Sequence, residues 1–244
     1  MTQNTSSQLD FFAVAPAQVS DKNDVTQAEF GTFKDSLRAP IHRWFTYPAG
    51  FSYKAVEHAI SEYNLRQGQT IYDPFAGTGT TNIVAQQQGL NSVGVEAHPF
   101  VAFVARTKLF WEFEPQSLLK AVTKHLNFIE QNISEADFAQ IDLAGIFPEL
   151  ILKCFSEARL KELYLIRESL AQVKDEHLRD LFKLALTNLL RTAADVATGW
   201  PYIAPGKPKK QTAASVQPKY REQLQVMYAD LLTVIGRTPS SSSR

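Results

Sequence analysis

The stretch Ile71-Tyr72-Asp73-Pro74-Phe75-Ala76-Gly77-Thr78-Gly79-Thr80-Thr81 constrains this chain more than any other. An apolar run ends in an acid, turns through two glycines and enters a helix at paired threonines, the pattern of a strand feeding a helix through a tight turn. Backbone amides at such a turn face outward with the helix dipole behind them, which suits a nucleotide-like ligand. Asp73 narrows the choice. It repels a pyrophosphate and attracts a cofactor that carries an ammonium and a sulfonium.

Competing phosphate motifs fail on specific residues. A P-loop needs Gly-Lys-Ser/Thr after its glycines, and no lysine lies between Asp73 and Asn91. The dinucleotide fingerprint wants a third glycine where Asn82 stands. The residues downstream still fit a β–α–β unit: a helix over about residues 80 to 88, Gly89 as its left-handed cap, and a returning strand from Ser92 to Glu96. Glu96 then lies at the carboxyl end of the second strand, where an acid can chelate two ribose hydroxyls. The plainer alternative is an incidental glycine-rich turn with a surface acid after it.

Asp73-Pro74-Phe75-Ala76-Gly77-Thr78-Gly79-Thr80-Thr81, then Val93-Gly94-Val95-Glu96 with Pro99 close behind, resembles the S-adenosylmethionine-binding motifs of amino-group DNA methyltransferases. Upstream, Ile41-His42-Arg43-Trp44-Phe45-Thr46-Tyr47-Pro48 and Phe51-Ser52-Tyr53-Lys54-Ala55-Val56 lead into an amphipathic helix ending near Tyr63. This segment is similar to the loop and helix that cover the methionine end of the cofactor in that family. The resemblance spans roughly residues 38 to 110. It implies an α/β, Rossmann-like methyltransferase unit, methylation of adenine N6 or cytosine N4, and S-adenosyl-L-methionine as cofactor. The residues it implicates are Phe51, Ser52, Asp73, Pro74, Phe75, Gly77, Thr78, Gly79, Thr80 and Glu96.

The pattern changes after Glu114. Leu118, Leu119, Val122, Leu126, Ile129 and Ile133 recur at helical spacing, as do Leu160, Leu163, Tyr164, Ile166, Leu170 and Val173. Leu178, Leu181, Phe182, Ala185 and Leu189 form a third stripe, and Tyr220, Leu224, Met227, Leu231 and Ile235 a fourth. Such stripes predict core-forming helices with no strand between them. The expected organisation is therefore a flexible polar arm over 1–30, a cofactor-binding α/β unit with an incomplete sheet over 31–112, a large all-helical insert over 113–236 and a linker or truncated end over 237–244. Leu9-Asp10-Phe11-Phe12 is the apolar knot of the arm, open to docking on the body or to binding a partner. An incomplete parallel sheet exposes an apolar edge, so poor stability or self-association is expected.

The catalytic motif of the resembling family, Asp/Asn/Ser-Pro-Pro-aromatic, is missing. That motif accepts the two hydrogens of an exocyclic amine, turns its lone pair toward the methyl group and stacks on the extruded base. The chain has 12 prolines and no two are adjacent. Gly199-Trp200-Pro201-Tyr202 is the nearest imitation, and it reads as a turn that comes after a helix. Beside it, Lys207, Lys209 and Lys210 form a basic loop that, with Trp200 and Tyr202, is the candidate DNA contact; a solvated basic loop is the bland alternative.

Other chemistry finds little support. Lys+Arg and Asp+Glu are both 25, so no global field steers the chain to nucleic acid. The lone Cys154, read as a core residue in a helix, precludes an internal disulfide and suits a reducing cytoplasm. Neither a membrane-spanning stretch nor a metal motif is expected; among the histidines, His98 fits a surface turn better than a pocket wall. Three functions stay open: the cofactor-binding part of an amino-group DNA methyltransferase whose catalytic motif comes from a missing segment or second chain; a non-catalytic cofactor- or nucleic-acid-binding module; and an RNA or small-molecule methyltransferase.

Overall fold

The computed structural model describes residues 30–198, 203–208 and 215–235. The arm over 1–29 with its Leu9–Phe12 knot, Gly199 to Tyr202, Lys209, Lys210 and the segment 237–244 lie outside the described residues. The described part is mostly helical, with a two-stranded parallel sheet and a separate two-stranded antiparallel hairpin. The elements are α1 (Tyr53–Glu62), β1 (Thr70–Asp73), α2 (Thr80–Gln87), β2 (Asn91–Gly94), α3 (Pro99–Leu109), α4 (Pro115–Glu135), α5 (Leu143–Ile146), α6 (Glu149–Leu152), α7 (Glu157–Ser169), α8 (Glu176–Ala193), β3 (Val196–Thr198), β4 (Ile203–Pro208) and α9 (Gln217–Ile235). The chain divides into two units. One holds residues up to Phe113 together with those from Gln225 onward, and the other spans Glu114–Leu224.

In the first unit β1 pairs with β2 in parallel, Tyr72 opposite Val93 and Asp73 opposite Gly94. Val56 and Ile60 of α1, Val84 and Ala85 of α2, and Leu90 form a buried cluster against which Phe51, Tyr53, Leu65 and Ile71 pack. Local chemistry sets the boundaries. The Ser52 hydroxyl accepts from the Lys54 amide and caps α1. Gly89, at φ 71°, closes α2 while the Leu90 amide donates back to the Ala85 carbonyl, the 6→1 bond of a Schellman end. The opposite face of the sheet is uncovered: Tyr72 is 63% exposed, Val93 53% and Val95 49%.

The second unit buries the predicted stripes. Leu118, Val122, Leu126, Ile129 and Ile133 of α4, Leu160, Leu163 and Ile166 of α7, and Leu181, Phe182, Ala185 and Leu189 of α8 are all buried. Glu114 caps α4 through the amides of Gln116 and Ser117, with Pro115 in the first turn. The His125 ring stacks on Phe182 at 4.2 Å. Tyr220 donates to the Phe182 carbonyl, so its oxygen accepts from His125 Nε2, and the ring is the Nε2–H tautomer.

Two expectations are corrected here. The block after Glu114 is not all-helical: β3 and β4 pair antiparallel, with Thr198 opposite Ile203. Gly199-Trp200-Pro201-Tyr202 therefore comes after a strand rather than a helix, and Lys207 belongs to β4 rather than to an open loop. Pro205, Gly206 and Pro208 hide the hairpin, because they argue against a central strand; in a two-stranded hairpin each strand is an edge, and the objection falls. Cys154 lies just past the end of α6, in a turn, where it is buried with Ala194 and Val196.

The buried histidines make the fold sensitive to acid. Burial pushes His125 down to about 4 and, with the nearby Lys108 charge, His42 down to about 3. Both bind a proton more readily unfolded than folded, so their contribution is fully present above pH 6.5 and is lost as pH falls toward 4. The urea midpoint is expected to fall steadily between pH 6.5 and 4.5, with a shallower slope in His125→Phe; a flat profile over that interval would contradict the assignment.

Candidate functional site

The β1–α2–β2 crossover gathers Asp73, Pro74, Phe75, Gly77, Thr78, Gly79, Thr80 and Glu96 at one end of the sheet, whereas Phe51 and Ser52 lie at the start of α1. Beyond Asp73 the ladder continues irregularly: the Val95 amide donates to the Asp73 carbonyl and the Ala76 amide to the Val95 carbonyl, both at 2.9 Å. These two bonds hold Glu96, two residues past the end of β2, against the glycine turn. Gly77 (φ 54°) and Gly79 (φ 83°) both adopt the left-handed region, where a β-carbon would be strained. At Gly79 close packing adds to the need for glycine. A β-carbon on Gly79 would lie 3.3 Å from that of Ala105, and one on Gly77 would lie 3.4 Å from the Tyr47 ring.

Two carboxylates bracket this turn. Asp73 accepts from the Phe75 amide at 3.0 Å and from the Thr81 hydroxyl at 2.6 Å. Glu96 accepts from the Gly77 amide at 3.0 Å and from the His98 amide at 2.8 Å. Both acids are partly accessible, and Phe75 stands 86% exposed beside them. Pro74 is exposed, whereas Thr78 and Thr80 are buried at the start of α2. Phe51 packs on the α1–α2 cluster. Ser52 is fully buried, and besides capping α1 its hydroxyl donates to Asp35 at 3.1 Å.

Asn82 finds its explanation on the neighbouring strand. A β-carbon on Gly94 would fall 2.8 Å from the Asn82 side chain and 2.8 Å from the Ala76 β-carbon. The close approach of helix and strand that a third glycine on the helix would allow is thus provided by a glycine on β2. Asn82, only 5% exposed, uses the space to donate to the Ser92 hydroxyl at 3.0 Å.

Segment 41–47 forms the other wall. Phe45 packs edge-on to Phe100 of α3, and Tyr47 lies over Gly77. Neither Tyr47 nor Thr81 stands out from sequence as a site residue; the signal for Tyr47 is its place in the segment that resembles a cofactor cover. Of the predicted nucleic-acid residues, Trp200, Tyr202, Lys209 and Lys210 lie outside the described residues, and Lys207 is placed on β4. Among the described residues no group of three or more His, Cys, Asp or Glu side chains could hold a metal ion, and no helix is long and apolar enough to cross a membrane.

A parallel β–α–β unit with a glycine turn and an acid near the end of each strand has the arrangement in which open α/β sheets bind ligands, outside the carboxyl ends of the strands. Comparison with known proteins is more specific. Residues 6–105 match the family model described as DNA methylase, of the N6/N4 type. The type II methyltransferase M.BsoBI of Geobacillus stearothermophilus is 29% identical over 144 residues, which is 59% of this chain and 25% of that protein. M.AvaI of a Nostoc species is 35% identical over 28% of this chain and 14% of its own length, and M.ScaI of Streptomyces caespitosus 39% identical over 30% and 23%. Over these residues the chain is similar to the amino-group DNA methyltransferases. It spans a quarter or less of the length of these relatives. No solved structure matches.

The Gly94 packing is open to direct test. Gly94→Ala is expected to lower stability by about 1–3 kcal/mol through overpacking, with part of the loss recovered in Gly94→Ala/Asn82→Ala. Denaturant unfolding that shows no loss in the single variant would refute the tight helix–strand contact.

Proposed function

We propose that this chain is the S-adenosylmethionine-binding part of a DNA methyltransferase that methylates an exocyclic base amine, N4 of cytosine or N6 of adenine. The observation that carries the proposal is the pair of accessible carboxylates, Asp73 and Glu96, on either side of a left-handed glycine turn that opens a helix. The donor set fits a cation-bearing nucleoside and fits a phosphate poorly. Asp73 presents negative charge where an ammonium is drawn in, and Glu96 is the acceptor for ribose hydroxyls. The glycines keep the turn free of side chains, and the exposed Phe75 ring offers an apolar surface for the adenine. S-adenosylmethionine supplies the transferable methyl group.

Amine activation requires a further motif. No two prolines are adjacent in this sequence, so the Asp/Asn/Ser-Pro-Pro-aromatic element must come from residues outside it, in a further segment or a second chain. The uncovered face of Tyr72, Val93 and Val95 supports this reading, because parallel sheets are normally covered on both faces. DNA is the substrate proposed, from the family and from the printed character of the relatives as type II methyltransferases. The buried, unpaired Cys154 accords with residence in the cytoplasm. The domain assignment proposed is a cofactor unit up to about residue 112 and a substrate-recognition block after it.

Titration calorimetry with S-adenosylmethionine tests the cofactor site. Binding is expected in the wild type and is weakened roughly 10- to 100-fold in Glu96→Ala, the loss of charged hydrogen bonds worth about 1.5–3 kcal/mol. Equal binding by wild type, Asp73→Ala and Glu96→Ala would refute the assignment. The chain alone is expected to transfer no labelled methyl group to duplex DNA; turnover by the purified chain would overturn the external source of the catalytic motif.

A further inference from the structure

The segment that walls the glycine turn is held by a residue nearly two hundred positions away. Asp230 lies on α9, in the part of that helix that belongs to the first unit, and its carboxylate is 2% exposed. One oxygen accepts from the Ile41 amide at 3.0 Å, from Arg43 Nε at 2.9 Å and from the Trp44 indole at 3.0 Å. The other accepts from Arg43 Nη2 at 2.5 Å. On the other side, the buried Lys108 of α3 donates to the His42 carbonyl at 3.0 Å. The stretch 41–44 is thus suspended between a carboxylate that takes its donors and a lysine amine that donates to one of its carbonyls.

The local backbone does not favour this arrangement. Ile41 has φ 66°, a conformation that a β-branched residue avoids. Its amide points at Asp230 as a result, and both Ile41 and Trp44 are fully buried. From Trp44 the chain passes Phe45 on Phe100 and reaches Tyr47 over Gly77. The turn at Tyr47 is itself closed by the Gly50 amide donating to the Tyr47 carbonyl. Displacing residues 41–44 therefore displaces the ring that bounds the glycine turn.

We propose that Asp230 is a positioning residue of the cofactor site: its carboxylate holds Ile41, Arg43 and Trp44 so that Tyr47 is kept against Gly77. The inference rests on the reading that this turn receives S-adenosylmethionine. Asp230 acts through the 41–47 strap and touches no ligand itself. An aspartate is required because its two oxygens accept four donors; asparagine presents an amide nitrogen to donors it cannot accept.

The test compares wild type with Asp230→Asn, Tyr47→Ala and the double variant in the full chain. Three quantities are measured: hydrogen exchange of the Trp44 indole, S-adenosylmethionine affinity by calorimetry, and the urea midpoint. Asp230→Asn is expected to lose protection at Trp44 and about tenfold in affinity, the scale of one charge-assisted hydrogen bond. The double variant is expected to bind as weakly as Tyr47→Ala alone, because both changes remove the same wall. Arg43→Gln, which removes two of the four donors at a partly exposed side chain, is expected to give the same pattern more weakly and serves if Asp230→Asn fails to fold. Lost protection at Trp44 with unchanged affinity, or additive losses in the double variant, would overturn the proposal. Absence of binding in a folded wild type that retains Trp44 protection would instead overturn the cofactor reading on which it rests.

Discussion

The parallel pairing of β1 with β2 is the constraint on which the rest of the first unit depends. A crossover through α2 brings the carboxyl ends of two strands to the same edge, so Asp73 and Glu96 become neighbours although 23 positions separate them. The same pairing requires α2 to lie close on β2, and Gly94 opposite Asn82 makes that approach feasible. The glycine turn then has little freedom. Its entry is tied by Asp73 to the Phe75 amide and the Thr81 hydroxyl, and its middle by Glu96 to the Gly77 amide.

Polar satisfaction and apolar burial together hold the second wall. Arg43 and Asp230 form a partly buried ion pair, a weak source of stability by itself because the Asp230 charge must be desolvated. The additional donors from Ile41 and Trp44 fill the remaining acceptor capacity of the carboxylate and make the arrangement specific. The opposite case stands next to it. Both ring nitrogens of His42 are buried without a hydrogen-bond partner among the described residues, and burial alone pushes Lys108 down to about 7. A strap tied to a carboxylate on one helix and a lysine on another, with one neutral histidine at its centre, is held by these polar groups as well as by the buried Ile41 and Trp44.

Much of this is legible in the chain itself. The strand before the glycines, the cap at Gly89 and the helix over Pro99–Leu109 arise from residue chemistry acting over a few positions. The buried stripes of α4, α7 and α8 arise from helical periodicity in the same way. The β3–β4 hairpin does not, because two short strands, one of them containing prolines, carry little periodic signal and become strands through pairing with each other. Asp230 is also silent in the sequence. Its signal is faint: an acid three positions after Met227, on the buried side of an apolar stripe.

By itself, the sequence determined the glycine turn, the acids that flank it and hence the family resemblance, because these depend on backbone freedom and charge at fixed short spacing. The tertiary structure decided what those residues face. It brought Tyr47 over Gly77, supplied through Gly94 the close approach that Asn82 denies to the helix, and placed Asp230 beneath a strap 189 positions away. Contacts of that separation depend on how whole helices pack, and no local pattern of residues encodes them.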